Sequence, residues 1–199
     1  RTHSSGKLLY SARLIPMRGS WIDLEFDPKD ILYARIDRRR KFPVTVLLKA
    51  LGYTTEELLN FFYSTEKVYL EGDIIEKKIV PQFLLQRKAS ADIVVPETGE
   101  VLVKKNKKIT EPLLRKIESA GIDRVALQPQ ELLGRVVAHD IVDPSSGDLL
   151  VACNEPLTEE KLTLLRQHNI KELDLLYIDG VNVSPCLRNT LEVDKTEKP

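Results

Sequence analysis

Two stretches with the same pattern decide the fold of this chain: DIVVPETGEVLV from Asp92 to Val103, and DIVDPSSGDLLV from Asp140 to Val151. Each places apolar residues before and after a short polar turn, and Gly99 or Gly147 stands third in that turn. A glycine at this place supplies the positive φ that a tight hairpin needs. Each stretch therefore predicts a β-hairpin.

The likeness between the two stretches extends along the chain at one constant offset of 48 residues. The turn at 97–100 aligns with the turn at 145–148, and Pro96 aligns with Pro144. Further on, the matching pairs are Thr110 and Thr158, Leu114 and Leu162, Ile117 and Leu165, Ile122 and Ile170. The threonines suit helix N-caps, and the apolar positions suit a buried helical stripe. Each copy predicts strand, turn, strand, capped helix and strand, and two copies can cover each other's apolar faces.

The residues before the repeats predict a small mixed region. Three stretches read as strands, at 7–16, 21–26 and 31–37, and we expect the first to be mostly buried. The apolar spacing then becomes helical, and one helix stops at Gly52. A second helix begins at Thr54 or Thr55 and has an apolar face made of Leu58, Leu59, Phe61 and Phe62.

Together these patterns predict an α+β fold, in which a mixed region of strands and helices hosts an inserted α/β module. We place the first host part at residues 1–67 and the module at 68–183. The return to the host follows at 184–199. Within the module, the two repeats of hairpin, helix and strand lie at about 90–130 and 138–178.

The formal net charge is zero, but the charges are not evenly distributed. Residues 1–49 hold eleven Lys or Arg against five Asp or Glu, a net +6, so the remainder carries −6. The densest cluster follows the third strand and consists of Arg35, Arg38, Arg39, Arg40 and Lys41. Phosphate is the obvious ligand for such density, and the alternative is a solvated basic face without a partner.

Other kinds of chemistry find little support. The three histidines stand in unlike contexts, and no spacing of histidine, cysteine or carboxylate matches a metal site or a catalytic triad. We therefore predict no cofactor. Cys153 and Cys186 read as reduced cysteines of a cytosolic protein. No apolar run approaches the length of roughly 20 residues that spans a bilayer.

Trp21 is the only tryptophan and follows Gly19-Ser20 at a predicted hairpin edge. Taken alone, it reads as a core residue rather than as a binding residue. Beside the basic cluster it gains significance, because an exposed aromatic face can stack on an unpaired base while guanidinium groups hold phosphates. The combination points to single-stranded DNA.

Four segments together resemble the bacterial RNA polymerase beta subunit. They are residues 2–13, 18–21, 27–30 and 35–41. The resemblance is close over residues 2–62. Residues 68–183 look more loosely like the lineage-specific insertion in the beta lobe of proteobacterial polymerases. One departure is Met17, where the family often has an aromatic residue.

The resemblance implies a fragment of the N-terminal half of the beta lobe, which the start at Arg1 rather than Met also favours. Such a fragment contributes to a cytoplasmic nucleotidyltransferase without being catalytic itself. Its implied partners are non-template and downstream DNA and the beta prime, alpha and sigma subunits. Transcription factors on the insertion are further candidates, and no membrane is involved. The implied DNA-binding residues are Trp21, Asp37 and Arg38, with Arg39, Arg40 and Lys41 as supporting phosphate contacts. The alternative is a free-standing protein-interaction adaptor.

Overall fold

The computed structural model describes residues 2–89, 91–95 and 98–196, except for the side chain of Gln82. It divides the chain into two compact units: unit 1 comprises Arg1–Ser64 and Tyr177–Pro199, and unit 2 comprises Thr65–Leu176. Helices and antiparallel strands occur in both, which confirms the α+β class. The division into host and insertion stays a prediction, because compactness alone does not say which unit is inserted.

Unit 1 begins with a four-stranded antiparallel sheet in which the strands follow chain order. The strands are β1 (Ser11–Leu14), β2 (Ile22–Phe26), β3 (Leu32–Ile36) and β4 (Phe42–Pro43). β1 is shorter than the stretch predicted at 7–16, and all four of its residues are exposed. The expectation of a mostly buried strand was therefore wrong, because β1 is an edge strand with β2 as its sole neighbour in the sheet.

Two helices follow the sheet, α1 (Val44–Ala50) and α2 (Thr55–Phe62). Thr54 caps α2 in a capping box: its hydroxyl accepts from the Glu57 amide at 3.2 Å, and Glu57 accepts from the Thr54 amide at 2.8 Å. Leu58 and Leu59 are buried as predicted. Phe61 and Phe62 are 78% and 52% exposed, so their assignment to the apolar face was wrong.

Unit 2 is built around a four-stranded antiparallel sheet. Its central hairpin consists of β5 (Thr65–Glu71) and β6 (Ile74–Lys78), followed by the short helix α3 (Pro81–Leu84). The first repeat consists of β7 (Ile93–Val94), β8 (Val101–Val103), α4 (Glu111–Ser119) and β9 (Arg124–Ala126). After a 3-10 turn at Pro129–Glu131, the second repeat consists of β10 (Ile141–Val142), β11 (Leu149–Val151), α5 (Glu159–Gln167) and β12 (Glu172–Leu176).

The predicted order of strand, turn, strand, helix and strand is confirmed for both repeats. Pro96 and Glu97 of the first turn lie outside the described residues. The last strand of each repeat joins the central hairpin, giving the sheet order β12-β5-β6-β9. The buried residues form one cluster in each repeat, and that of the second repeat includes residues of β5 and β6. The repeats thus build separate cores instead of covering each other's apolar faces.

The chain returns to unit 1 through α6 (Cys186–Val193). Thr190 of this helix is fully buried, and its hydroxyl accepts a hydrogen bond from the Leu32 amide of β3 at 3.0 Å. Asp194 accepts one from the Thr45 hydroxyl of α1 at 2.8 Å and pairs with Lys49 at 3.2 Å. These contacts join the two ends of the chain in one unit.

Candidate nucleic-acid interface

The charged side chains of β1, β2 and β3 meet on one face of the sheet. Arg13 lies directly opposite Asp23, and Asp23 lies directly opposite Arg35. Cross-strand partners project to the same side of a sheet, so the three form a row. Arg13 donates two hydrogen bonds to the largely buried Asp23, the longer one at 3.3 Å from Nη2 to Oδ2. This bond to Arg13 lowers the pKa of the Asp23 carboxyl, which therefore stays ionised.

Trp21 lies immediately before β2, two residues from Asp23. Its side chain is 40% exposed, so it is not a packed core residue of this chain. The guanidinium carbon of Arg13 lies 5.6 Å from the ring centroid, and that of Arg38 lies 5.9 Å away. Two cations at cation–π distance enrich the surroundings of the ring in positive charge while part of the ring stays open to solvent.

The turn after β3 positions Arg38. Asp37 and Arg38 are consecutive residues with positive φ, at 47° and 58°. The Asp37 amide donates to the Trp21 carbonyl at 2.9 Å, and the Asp37 carboxylate accepts from the Trp21 amide at 2.9 Å. Hydrogen bonds from the Ser20 hydroxyl and from the Trp21 amide lower the pKa of Asp37. Asp37 therefore acts by fixing Trp21 and Arg38 beside each other.

The remaining basic residues continue from this turn and are exposed. The Arg39 amide donates to the Ile36 carbonyl at 3.0 Å, and the Arg39 carbonyl accepts from Arg35 at 3.3 Å. Lys41 places its ammonium nitrogen 4.2 Å from the centroid of the Tyr33 ring. In the part of the chain that the structure describes, none of the four residues from Arg38 to Lys41 has an acidic partner within ion-pair distance.

The structure thus brings Trp21, Asp37 and Arg38 together, while Lys41 lies over a different aromatic ring. Arg13 belongs to the cluster, although the sequence reasoning missed it. Its signal was the hairpin register, because a turn centred on Arg18 sets Arg13 opposite Asp23. The pattern of basic residues alone did not show it, since Arg13 is isolated in the sequence.

Other kinds of site have no support among the described residues. These residues contain no group of three or more histidine, cysteine or acidic side chains that could hold a metal ion. Neither Cys153 nor Cys186, both among the described residues, forms a disulfide bond. None of the helices described is long and apolar enough to cross a membrane.

Comparison with known proteins shows which family the chain resembles. Residues 1–120 match the family model described as RNA polymerase Rpb2, domain 2. The chain is 53% identical over 196 residues to the DNA-directed RNA polymerase subunit beta of Syntrophobacter fumaroxidans, and 56% identical over 198 residues to that of Sorangium cellulosum. The subunit of Geobacter sulfurreducens is 55% identical over 195 residues. These matches cover 98%, 99% and 98% of the chain, which spans 14% of each relative's length.

Proposed function

Because the chain belongs to the RNA polymerase Rpb2 domain 2 family, we propose that unit 1 is a DNA-contacting, non-catalytic part of the beta subunit of DNA-directed RNA polymerase. In the assembled nucleotidyltransferase it holds non-template and downstream DNA, alongside the beta prime, alpha and sigma subunits. The observation that carries this proposal is the half-open Trp21 ring with Arg13 and Arg38 beside it.

The proposed chemistry divides the work among the cluster residues. Trp21 stacks on an unpaired base, which favours single-stranded over duplex DNA because the faces of bases in a duplex are already stacked on neighbouring base pairs. Arg38 holds an adjacent phosphate or the acceptor edge of a base with its planar guanidinium group. Arg39, Arg40 and Lys41 supply further phosphate contacts. Asp37 binds no phosphate, because its carboxylate is occupied by the Trp21 amide and repels anions.

Replacing Arg38 or Trp21 in the assembled polymerase tests this proposal. We expect Arg38→Ala to weaken binding to bubble DNA about tenfold and to reduce the slope of log affinity against log salt by about 0.7–0.9, because one phosphate contact is lost. Trp21→Ala is expected to weaken binding at least as much without changing that slope, because stacking releases no counterion.

The matched control is Arg115→Ala, which removes an exposed arginine from unit 2. It should leave binding to bubble DNA unchanged. Equal losses from Arg38→Ala and Arg115→Ala would contradict the proposal, since binding would then follow net charge and not the Trp21 cluster. Thermal unfolding of each variant shows whether the fold is retained.

For unit 2 we propose a role as a docking module for protein factors, with a purely stabilising role as the alternative. The two buried clusters described in it consist of its own residues. Residues 65–176 hold 16 Lys or Arg against 19 Asp or Glu, and this net charge of −3 argues against a general DNA-binding role for the unit.

A further inference from the structure

The two repeats of unit 2 build the same turn between the hairpin and the helix. In the first repeat, the Lys105 amide donates to the Asp92 carboxylate at 2.6 Å. In the second, the Cys153 amide donates to the Asp140 carboxylate at 2.7 Å. Asn106 and Asn154 both adopt positive φ, at 64° and 67°. The turn geometry is therefore the same 48 residues apart.

The hydrogen bonds from this turn to the preceding segment also correspond one for one. The amide of Asn106 donates to the Ala89 carbonyl at 2.8 Å, and Asn154 donates to Val137 at 2.9 Å. The reverse bonds run to the carbonyls of residues 107 and 155, both at 3.0 Å. Residues 108 and 156 each form an isolated antiparallel bridge, to residues 88 and 136. The backbone framework therefore does not depend on the side chains of the turn.

Those side chains differ sharply between the repeats. The first turn has Lys104, Lys105, Asn106, Lys107 and Lys108, whereas the second has Ala152, Cys153, Asn154, Glu155 and Pro156. All four lysines are exposed, and the described part of the chain contains no ion pair to any of them. Four cations without acidic partners repel one another. They are not needed for the stability of the turn, because the second repeat forms the same turn without lysine. The charge is therefore available for an external partner.

The same repeat also has a groove between its hairpin and α4. Its volume is about 520 Å³, and Val95, Leu102 and Ala120 contribute apolar surface to it. Arg115, Lys116 and the acidic Glu100 also line the groove and are exposed. The lysine turn and the groove together hold six cationic side chains, of which Arg115 alone is paired within ion-pair distance in the described structure, with Glu111.

We infer that the lysine turn and the groove of the first repeat bind an acidic protein segment that carries apolar side chains. The inference deepens the docking role proposed for unit 2 and rests on it. Charge complementarity selects an anionic partner, and the apolar recess favours a polypeptide, because a phosphate backbone offers nothing apolar to fill it. Residues 84–126 also contain no aromatic residue on which a base could stack.

The test uses the longer beta subunit in its polymerase assembly and a labelled peptide of glutamate and leucine. The variant carries Lys104→Ala, Lys105→Ser, Lys107→Glu and Lys108→Pro, which reproduces the second turn with serine in place of cysteine. It should fold, because the second repeat forms this turn with nearly the same residues. We expect about tenfold weaker peptide binding, and a weaker dependence on salt, because four exposed positive charges are lost and one negative charge is added.

Two further probes separate the parts of the proposal. An all-glutamate peptide is expected to bind more weakly than the glutamate–leucine peptide, because it leaves the groove unfilled. Equal affinities would overturn the role of the groove. Duplex DNA is expected to bind equally well to the wild type and to the lysine-turn variant. A loss confined to DNA would overturn the protein partner in favour of a nucleic acid.

A deletion variant lacks unit 2 and joins Ser64 to Tyr177 by a short turn. It distinguishes failure of the lysine site from failure of the docking role. The Tyr177 amide already donates to the Ser64 carbonyl at 2.8 Å, so the junction is short. If this deletion abolishes peptide binding but the lysine-turn variant does not, the lysine site is wrong and docking stands. If the wild type does not bind, or the deletion changes nothing, both proposals fail.

Discussion

The first and second repeats of unit 2 share their backbone contacts and differ where side chains reach beyond that framework. In the second repeat, the His168 ring at the end of α5 is hydrogen-bonded to Asp143 of the hairpin at 2.8 Å. The corresponding positions in the first repeat, Val95 and Ala120, are apolar and border the open groove. One repeat thus ties its hairpin to its helix, and the other leaves that space open.

This difference teaches that a repeat can keep its fold while its exposed side chains change in charge and polarity. The apolar stripe and the Asp-to-amide contact of the turn recur, because each repeat needs them to fold. The outer positions carry no such requirement.

Removing the matching core side chains should give the largest effect. Ile117 and Leu165 are both fully buried at equivalent helix positions. We expect Ile117→Ala and Leu165→Ala each to reduce the free energy of unfolding by about 2–5 kcal/mol, from lost burial and the cavity left behind. Hydrogen exchange should show the Ile117 effect within the first repeat, and the Leu165 effect also in β5, because Val68 and Leu70 belong to that cluster.

Equal loss of protection from hydrogen exchange throughout unit 2 in both variants would contradict the view that the repeats have separate cores, since the two cores would then unfold together. Thermal unfolding alone does not make this distinction, because both variants lower the overall stability. Ile117→Val provides a control, with an expected cost of about 0.5–1.5 kcal/mol.

The two helix caps should give a smaller and unequal effect. The Thr158 hydroxyl accepts from the Lys161 amide at 3.3 Å, whereas Thr110 makes no such bond although it holds the same position. Thr158→Ala should therefore cost about 1 kcal/mol, and Thr110→Ala should cost little. Denaturant unfolding of the two variants measures the difference. Equal costs would mean that the caps are equivalent in solution.

The contact between Asp143 and His168 should give the smallest effect, visible as a dependence on pH. Hydrogen bonds, first that from the Ser145 amide and then that from His168, lower the pKa of Asp143. A carboxyl with a depressed folded pKa contributes stability that is present above its unfolded pKa, near 3.9, and is lost as pH falls through the folded value. Asp143→Asn should therefore make stability less sensitive to acid in that range.

Unfolding midpoints measured from pH 6 downward, at roughly the interval where carboxylates titrate, would check this expectation. A variant with the same acid sensitivity as the wild type would show that Asp143 does not contribute. Val95, at the equivalent place in the first repeat, cannot titrate, so acid sensitivity near that repeat must arise elsewhere.

The features that the sequence predicted best are local. The hairpin turns at Gly99 and Gly147 and the capping box at Thr54 each depend on residues a few positions apart. The 48-residue repeat also predicted the element order, because the same local signals occur twice. The grouping of Trp21, Asp37 and Arg38 was also predicted. That prediction came from the family resemblance, because the spacing of these residues in the sequence does not show that they lie together.

The features that escaped prediction depend on distant partners. The exposure of β1 follows from its place at the edge of the sheet, and Phe61 lies outside the face that α2 buries. The place of Arg13 beside Trp21 depends on strand register. The four lysines of the first turn are evident in the sequence. Their proposed binding role could not be predicted from it, because that role depends on the observation that a second turn of the same shape forms without lysine.

The positive φ of Arg38 affects the stability of the turn. A left-handed conformation is unfavourable for a residue with a Cβ atom, and glycine would relieve this at a gain of about 0.5–1 kcal/mol. Arg38→Gly is therefore expected to raise the unfolding temperature slightly and to weaken the proposed DNA contact. Under the proposal, arginine at this position exchanges a small part of the stability of the protein for that contact.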